Sequence, residues 1–209
     1  MGTGEVVVTP SSIDFADKVA TEYRKDNGNW DLMEKYHHDA KAINRVAREY
    51  GLMTTSAEQE SKGLQYYENA YIWREKAGQM SVAEMKRRVY DSVVEFMFNG
   101  YEWLHATSIS GLNTGRQKNY LGVDFSMESD ITMAHFTMVS EDQVKYASKK
   151  NFNASPITGK AATAKVDPQD VAQAQTAYDA AFKANHLTLA SKGVAQTNYN
   201  RKAKALEQA

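Results

Sequence analysis

From Ile13 to Leu104 the apolar residues recur three and four positions apart, and near residue 120 that period collapses to two. A three-four period gathers apolar side chains on one face of an α-helix, whereas a period of two gathers them on one face of a strand. The order of the two patterns predicts a mainly α fold: a helical bundle, a β-hairpin excursion, and an extended C-terminal helix and arm.

Four helices make up the expected bundle. The first covers 12–26, with Ser11 and Ser12 as N-cap candidates and Ile13, Ala16, Ala20 and Tyr23 on its inner face. The second covers 30–50, where Met33, Tyr36, Ala40, Ile43, Ala47 and Tyr50 form a stripe and Gly51 follows as the C′ residue. The third covers 57–77. It opens on a capping-box pattern at Ser56 and Gln59, and Leu64, Tyr67 and Tyr71 are its apolar positions. The fourth covers 82–105 and buries Val82, Met85, Val89, Val93, Phe96, Met97 and Leu104. Helices of this length with short connections suggest up-down packing.

Residues 106–119 read as a loop. In 120–127 Leu121, Val123, Phe125 and Met127 alternate with polar or small residues, and Ile131 and Met133 begin a second alternating run over 131–139. A short polar link between such runs signals an antiparallel hairpin. The expected organisation is a flexible leader over 1–10, a bundle over 11–149 with its hairpin at about 119–139, a linker over 150–166, and a C-terminal helix and arm over 167–209. Asp167-Pro168 opens that helix, and Val171, Ala174, Tyr178 and Phe182 form a stripe one side chain wide. Such a stripe can dock on one partner but cannot enclose a core.

Charge narrows the function classes. The net charge is -1, which argues against a surface built for nucleic acid or anionic membrane. Residues 1–140 carry 15 basic and 20 acidic side chains; residues 141–209 carry 10 and 6. The chain has no cysteine, so disulfides, thiolate metal sites and cysteine nucleophiles are excluded. No apolar run approaches the ~20 residues of a membrane span, and the first residues lack the basic start and apolar core of a signal peptide. The expected location is the cytoplasm, or a particle assembled there.

Two Glu-x-x-His tetrads, Glu34 to His37 and Glu102 to His105, carry the main chemical pattern. Carboxylate and imidazole three apart on a helix can share one metal ion. With Glu68 as a further ligand, the arrangement resembles the ferritin-like di-metal carboxylate proteins. That resemblance implies a four-helix scaffold and a di-metal centre at Glu34, His37, Glu68, Glu102 and His105. Helical phase opposes it, because it turns Glu34 and Glu102 away from the apolar stripes. The expected metal and cofactor content is therefore none. Glu68 itself falls near the inner face, where it caps, accepts from a Tyr hydroxyl, or sits at the edge of the stripe. His37 and His38 read as surface residues, and His135 as isolated.

Aromatic residues off the core stripes, Trp73, Phe98, Tyr101 and Trp103, are candidate interface anchors, together with Tyr178 and Phe182 of the C-terminal stripe. No catalytic motif stands out. The expected function is a non-enzymatic structural or assembly subunit with protein partners, as a homo-oligomer or part of a multi-subunit assembly. The Ala/Gln-rich tail is similar in composition to phage virion proteins of the connector or internal ejection kind. The alternatives are the ferritin-like protein and a monomeric regulatory binding module.

Overall fold

A computed structural model describes residues 3–25, 38–75, 80–98, 103–128, 131–158 and Thr176. The chain divides into two units, Met1–Thr158 and Gly159–Ala209. The sheet and its helices belong to the first unit.

In chain order the elements are β1 (Val6–Val7), α1 (Pro10–Lys25), α2 (Ala40–Tyr50), α3 (Ala57–Glu60), β2 (Glu68–Trp73), α4 (Val82–Phe98), α5 (Leu104–Ile109), β3 (Asn119–Glu128), β4 (Ile131–Ser140) and α6 (Glu141–Lys145). The four strands form one mixed sheet in the order β1-β3-β4-β2. β1 runs parallel to β3, while the β3–β4 and β4–β2 pairs are antiparallel. The fold is therefore α/β, and the expected helical bundle is corrected. The 120–139 hairpin does form, with Tyr120 opposite Val139. It lies at the centre of the sheet and is no excursion.

Three local causes account for the change. Ser56 and Gln59 make the expected capping box, but the helix it opens lasts one turn and gives way to Gly63 at φ 72°. Past that point Tyr66, Tyr67, Tyr71, Ile72 and Trp73 favour a pleated strand, and β4 supplies the backbone partners along 68–73. Pro10 takes the first position of α1, so Thr9 is the cap: its Oγ1 accepts from the Ser12 N–H, and Ser12 Oγ accepts from the Thr9 N–H. Val6-Val7, expected in a leader, adds the short parallel strand instead.

Helices cover both faces of the sheet. Phe15, Val19 and Tyr23 of α1 and Ile43, Val46, Ala47 and Tyr50 of α2 join Tyr67, Tyr120, Met133 and Val139 in one core. On the other face Phe96 of α4 and Met80 meet Phe125, Ala134 and Phe136, with Leu121, Val123 and Val93 alongside. Residues 132–140 of β4 are all buried, as expected of a strand covered on both sides. α1 lies so close to β3 that a Cβ on Gly122 would stand 1.8 Å from the Ser12 carbonyl oxygen. Ser12 Oγ donates to Leu121 O at 2.8 Å across that contact. Gly51 ends α2 at φ 67°, its N–H bonded to the carbonyls of the last turn. Residues 150–158 run back along this unit: Phe152 is buried against Tyr50 and Tyr120, the Asn153 N–H donates to Ser11 Oγ, and Ile157 N–H to Val8 O. Among the described residues no helix is long and apolar enough to cross a membrane.

Candidate functional site

Strand register brings three polar side chains together beneath α1. Ala70 is opposite His135 in the β2–β4 pair, and Asp124 is opposite it in the β3–β4 pair. Glu68 and Ser126 are therefore two residues off the His135 pairing position on either side, on the same face and within diagonal reach. His135 Nδ1 lies 2.6 Å from Glu68 Oε1, and Ser126 Oγ lies 2.7 Å from His135 Nε2. The last turn of α1 brings the Tyr23 hydroxyl, which donates to Glu68 Oε2 at 2.5 Å and accepts the Asp39 N–H at 2.8 Å. His38, just ahead of α2, places Nδ1 2.8 Å from the same Oε2. The Tyr23 ring meets His135 edge-on at 4.5 Å between centroids.

Glu68 is thus the hub of five chain segments. Burial, the largest influence on its carboxyl, raises the pKa; hydrogen bonds and attraction from His135 and His38 overcome it and hold the group well below the usual carboxylate range. The carboxylate is ionised, so Nδ1 of each histidine donates to it. Burial and the Glu68 charge push the Tyr23 hydroxyl well above its ordinary value, which keeps it a donor.

Serine, histidine and carboxylate follow one another here as in a hydrolase triad. Access distinguishes the two cases. Ser126 is 2% exposed and His135 fully buried, with Tyr23 packed over the imidazole. No substrate carbonyl can approach Ser126 Oγ in this arrangement. The array ties strands to helices and distributes one buried charge over several donors.

One arm of the hub reaches an open space. A cavity of about 510 Å³ lies between the 63–66 turn, the start of β2 and α5, with His38, Glu68, Asn69, His105, Ser108 and Asn113 in its wall. The Asn69 side chain donates to Ser108 Oγ at 2.9 Å, and its Oδ1 lies 3.1 Å from His105 Nδ1. The His105 ring packs on Phe96 at 4.6 Å. Among the described residues no lysine or arginine lines this cavity, and Glu68 is its one carboxylate.

The sequence candidates divide accordingly. Glu68 is on a strand, not the third helix of a bundle, and it does accept a Tyr hydroxyl. His105 is on the short α5, in the cavity wall rather than beside a tetrad partner on a long helix. The four-helix scaffold that the ferritin-like resemblance requires is replaced by the sheet. Among the described residues no group of three or more His, Asp or Glu is placed to hold a metal ion. Glu34, His37, Glu102, Tyr101, Tyr178 and Phe182 lie outside the described residues. Trp73 is half-buried, 4.8 Å from the Tyr71 ring and beneath the Arg88 guanidinium. Phe98 and Trp103 are exposed. Sequence reasoning missed Tyr23 as a ligand of the hub, and it missed Ser126, His135 and His38. The available signal was His135 itself, a polar residue inside the apolar run Met133 to Val139, which needs a buried partner.

No protein-family model matches the chain, and no curated protein matches it in sequence. Among solved structures it is similar to the CAP domain of Enterococcal PrgA, with 22% identity and a TM-score of 0.49 over 75% of this chain and 57% of that one. The chain thus spans little more than half the length of that structure.

Proposed function

We propose that this chain is a non-enzymatic binding module whose cavity beside β2 takes a group that is cationic or rich in hydrogen-bond donors. The supporting observation is the make-up of the wall: among the described residues there is no lysine or arginine to receive an anion, and the one carboxylate, Glu68, lies buried just behind the surface. His38, which also lines the cavity, sets Nδ1 2.8 Å from Glu68 Oε2 and so joins the cavity wall to the hub. The Glu68 side chain is itself fully buried and already hydrogen-bonded through both oxygens, so a bound cation would meet its charge through the intervening wall and not by direct contact.

A catalytic reading of the Ser126, His135 and Glu68 array lacks an accessible nucleophile, since Ser126 is sealed beneath α1. The expected assembly role rests partly on Tyr178 and Phe182, which lie outside the described residues, and partly on Phe98 and Trp103, which are exposed. Binding in the cavity and assembly through a surface are compatible roles.

The test is a chemical-shift titration of the isotope-labelled full chain with methylammonium, guanidinium and tetramethylammonium salts, and with acetate and phosphate as anionic controls. Saturable shifts at Gln65, Asn69 and Ser108 with a cation, weakened in His38→Ala, are the expected outcome. Shifts at those residues with the anions alone, or with none of the probes, would refute it.

A further inference from the structure

The hydrogen-bonding groups in the wall of the cavity beside β2 are partly engaged within the fold, and what each has left follows from its chemistry. Gln65 Oε1 accepts from the backbone N–H groups of Tyr67 and Glu68 at 2.5 and 2.7 Å, and its Nε2 donates to Glu68 O at 2.8 Å. One amide proton remains to give. Ser108 Oγ accepts from the Asn69 amide, which leaves its own hydroxyl proton. Thr107 Oγ1 donates to Leu104 O at 3.0 Å, which leaves its lone pairs. Asn113, an exposed residue of the same wall, carries an amide that both gives and takes. Each of these groups is neutral.

Apolar surface meets the same space. The turn before β2 contributes Leu64 and the Tyr66 ring, 51% and 46% exposed, and the first turn of α5 contributes Leu104. Tyr66 packs edge-on against the buried Tyr67 at 6.3 Å between centroids, which steadies its ring. A phosphate or carboxylate would find no lysine or arginine among the described wall residues, and both oxygens of Glu68 are engaged in the hub. An acyl chain would leave the Ser108 and Gln65 donors facing hydrocarbon, at a desolvation cost. The wall therefore suits a neutral ligand with hydroxyl groups that give and take hydrogen bonds and a flat C–H face for an aromatic ring. A pyranose ring has both. The volume of about 510 Å³ falls within the range of small-molecule sites.

We propose that the cavity beside β2 binds a neutral saccharide, with the C–H face of one sugar ring on Tyr66 and its hydroxyl groups toward Gln65, Thr107, Ser108 and Asn113. Asn69 prepares the polar part of the wall, because it bonds Ser108 through its amide nitrogen and meets His105 Nδ1 through Oδ1. Groups held in place before the ligand arrives lose little freedom on binding. The assignment rests on the binding reading above and selects its donor-rich ligand over its cationic one.

The test titrates the isotope-labelled full chain with methyl glucoside, methyl galactoside, methyl mannoside and N-acetylglucosamine, and with the trimers of glucose and of N-acetylglucosamine. Uridine and methylammonium chloride serve as comparisons. The expected result is saturable binding of at least one sugar, with shifts at Gln65, Ser108 and Asn113. The C–H protons of that sugar move upfield in the ring current of Tyr66. Tyr66→Ala removes the upfield movement and weakens binding about ten-fold, the loss of one aromatic contact. Asn113→Ala weakens it about three-fold or more, the loss of a neutral hydrogen bond. Both positions are exposed, so the far-UV circular dichroism of each variant matches that of the native chain. Binding of uridine or methylammonium with no sugar bound overturns the saccharide assignment and leaves the binding reading standing. Binding of none of the probes overturns both. Sugar binding that is indifferent to both substitutions lies elsewhere on the chain and also overturns the proposal.

Discussion

Replacing Glu68 by Gln changes one oxygen to an NH₂ group and removes one charge, with almost no change of shape. The hub makes this an expensive exchange. Oε1 accepts from His135, and Oε2 accepts from both Tyr23 and His38. Glutamine keeps one acceptor, so its NH₂ must face either the His135 N–H or the Tyr23 and His38 donors. Hydrogen bonds to a charged group contribute about 1.5–3 kcal/mol each, and a buried donor left facing another donor adds a desolvation cost. Breaking one partner out of a buried ionic group costs about 3–5 kcal/mol. Against a total stability of about 5–15 kcal/mol, that is a large fraction. Denaturant unfolding of the full chain at neutral pH, followed by circular dichroism, measures it. The pH dependence supplies a second reading. The folded carboxyl of Glu68 lies below its ordinary value, so its contribution is complete above the unfolded pKa of about 4.3. The contribution is lost as the pH falls through the folded value. Glutamine has no such titration, so the gap between native chain and variant should be widest near neutrality and shrink on acidification. A cost below about 1 kcal/mol at neutral pH, or a gap that stays constant into acid, would refute the view that an ionised Glu68 holds the hub together.

Gly122→Ala should destabilise the chain by about 2 kcal/mol or more, since its Cβ would meet backbone of α1 rather than a movable side chain; urea unfolding checks this. Tyr23→Phe removes the hydroxyl that donates to Glu68 Oε2 and accepts the Asp39 N–H, and should cost about 1–3 kcal/mol, read as a lower thermal midpoint. Ser126 should resist a fluorophosphonate that labels activated serines, and mass spectrometry of the native chain should find no adduct there; labelling at Ser126 would show that α1 opens enough to expose it. Gly51→Ala should destabilise by about 1 kcal/mol or more, because the position holds φ 67° and a Cβ would crowd Lys149; a change within a few tenths would contradict the packing described.

Several elements are legible in the sequence because their signals are local. The Ser56 capping box, the Gly51 helix stop, the inward Ala16, Ala20 and Tyr23 of α1 and the 120–139 hairpin each depend on residues within a few positions of one another, although Ile13, expected inward, is exposed. β2 cannot be read that way. Leu64, Tyr67 and Tyr71 satisfy a helical spacing, and Tyr67 to Trp73 equally satisfy a strand. The choice is made by β4, whose backbone groups need a partner and whose residues begin more than fifty positions later. Without that strand a sandwiched sheet reads as a bundle. The candidate site is illegible for the same reason: Tyr23, His38, Glu68, Ser126 and His135 meet only through strand register. Even so, a histidine flanked by Met133, Ala134, Phe136 and Val139 is a visible demand for a buried acceptor.

The pairing of β1 with β3, and of α1 with β3 across Gly122, has a consequence for the newly made chain. Residues 6–25 meet their main partners only when residues 119–128 exist, about a hundred positions later. At about 5–20 residues per second, a ribosome needs roughly 5–20 s to cover that distance. Throughout that interval Phe15, Val19 and Tyr23 have no sheet to pack on, and the ring closed by the Val6–Asn119 pair carries a large entropic cost until then. Residues 6–25 are synthesised well before the strand that fixes them in place. A nascent chain stalled before residue 119 should therefore present α1 to chaperones and proteases as a sticky, cleavable handle, and one stalled well past residue 140 should hide it.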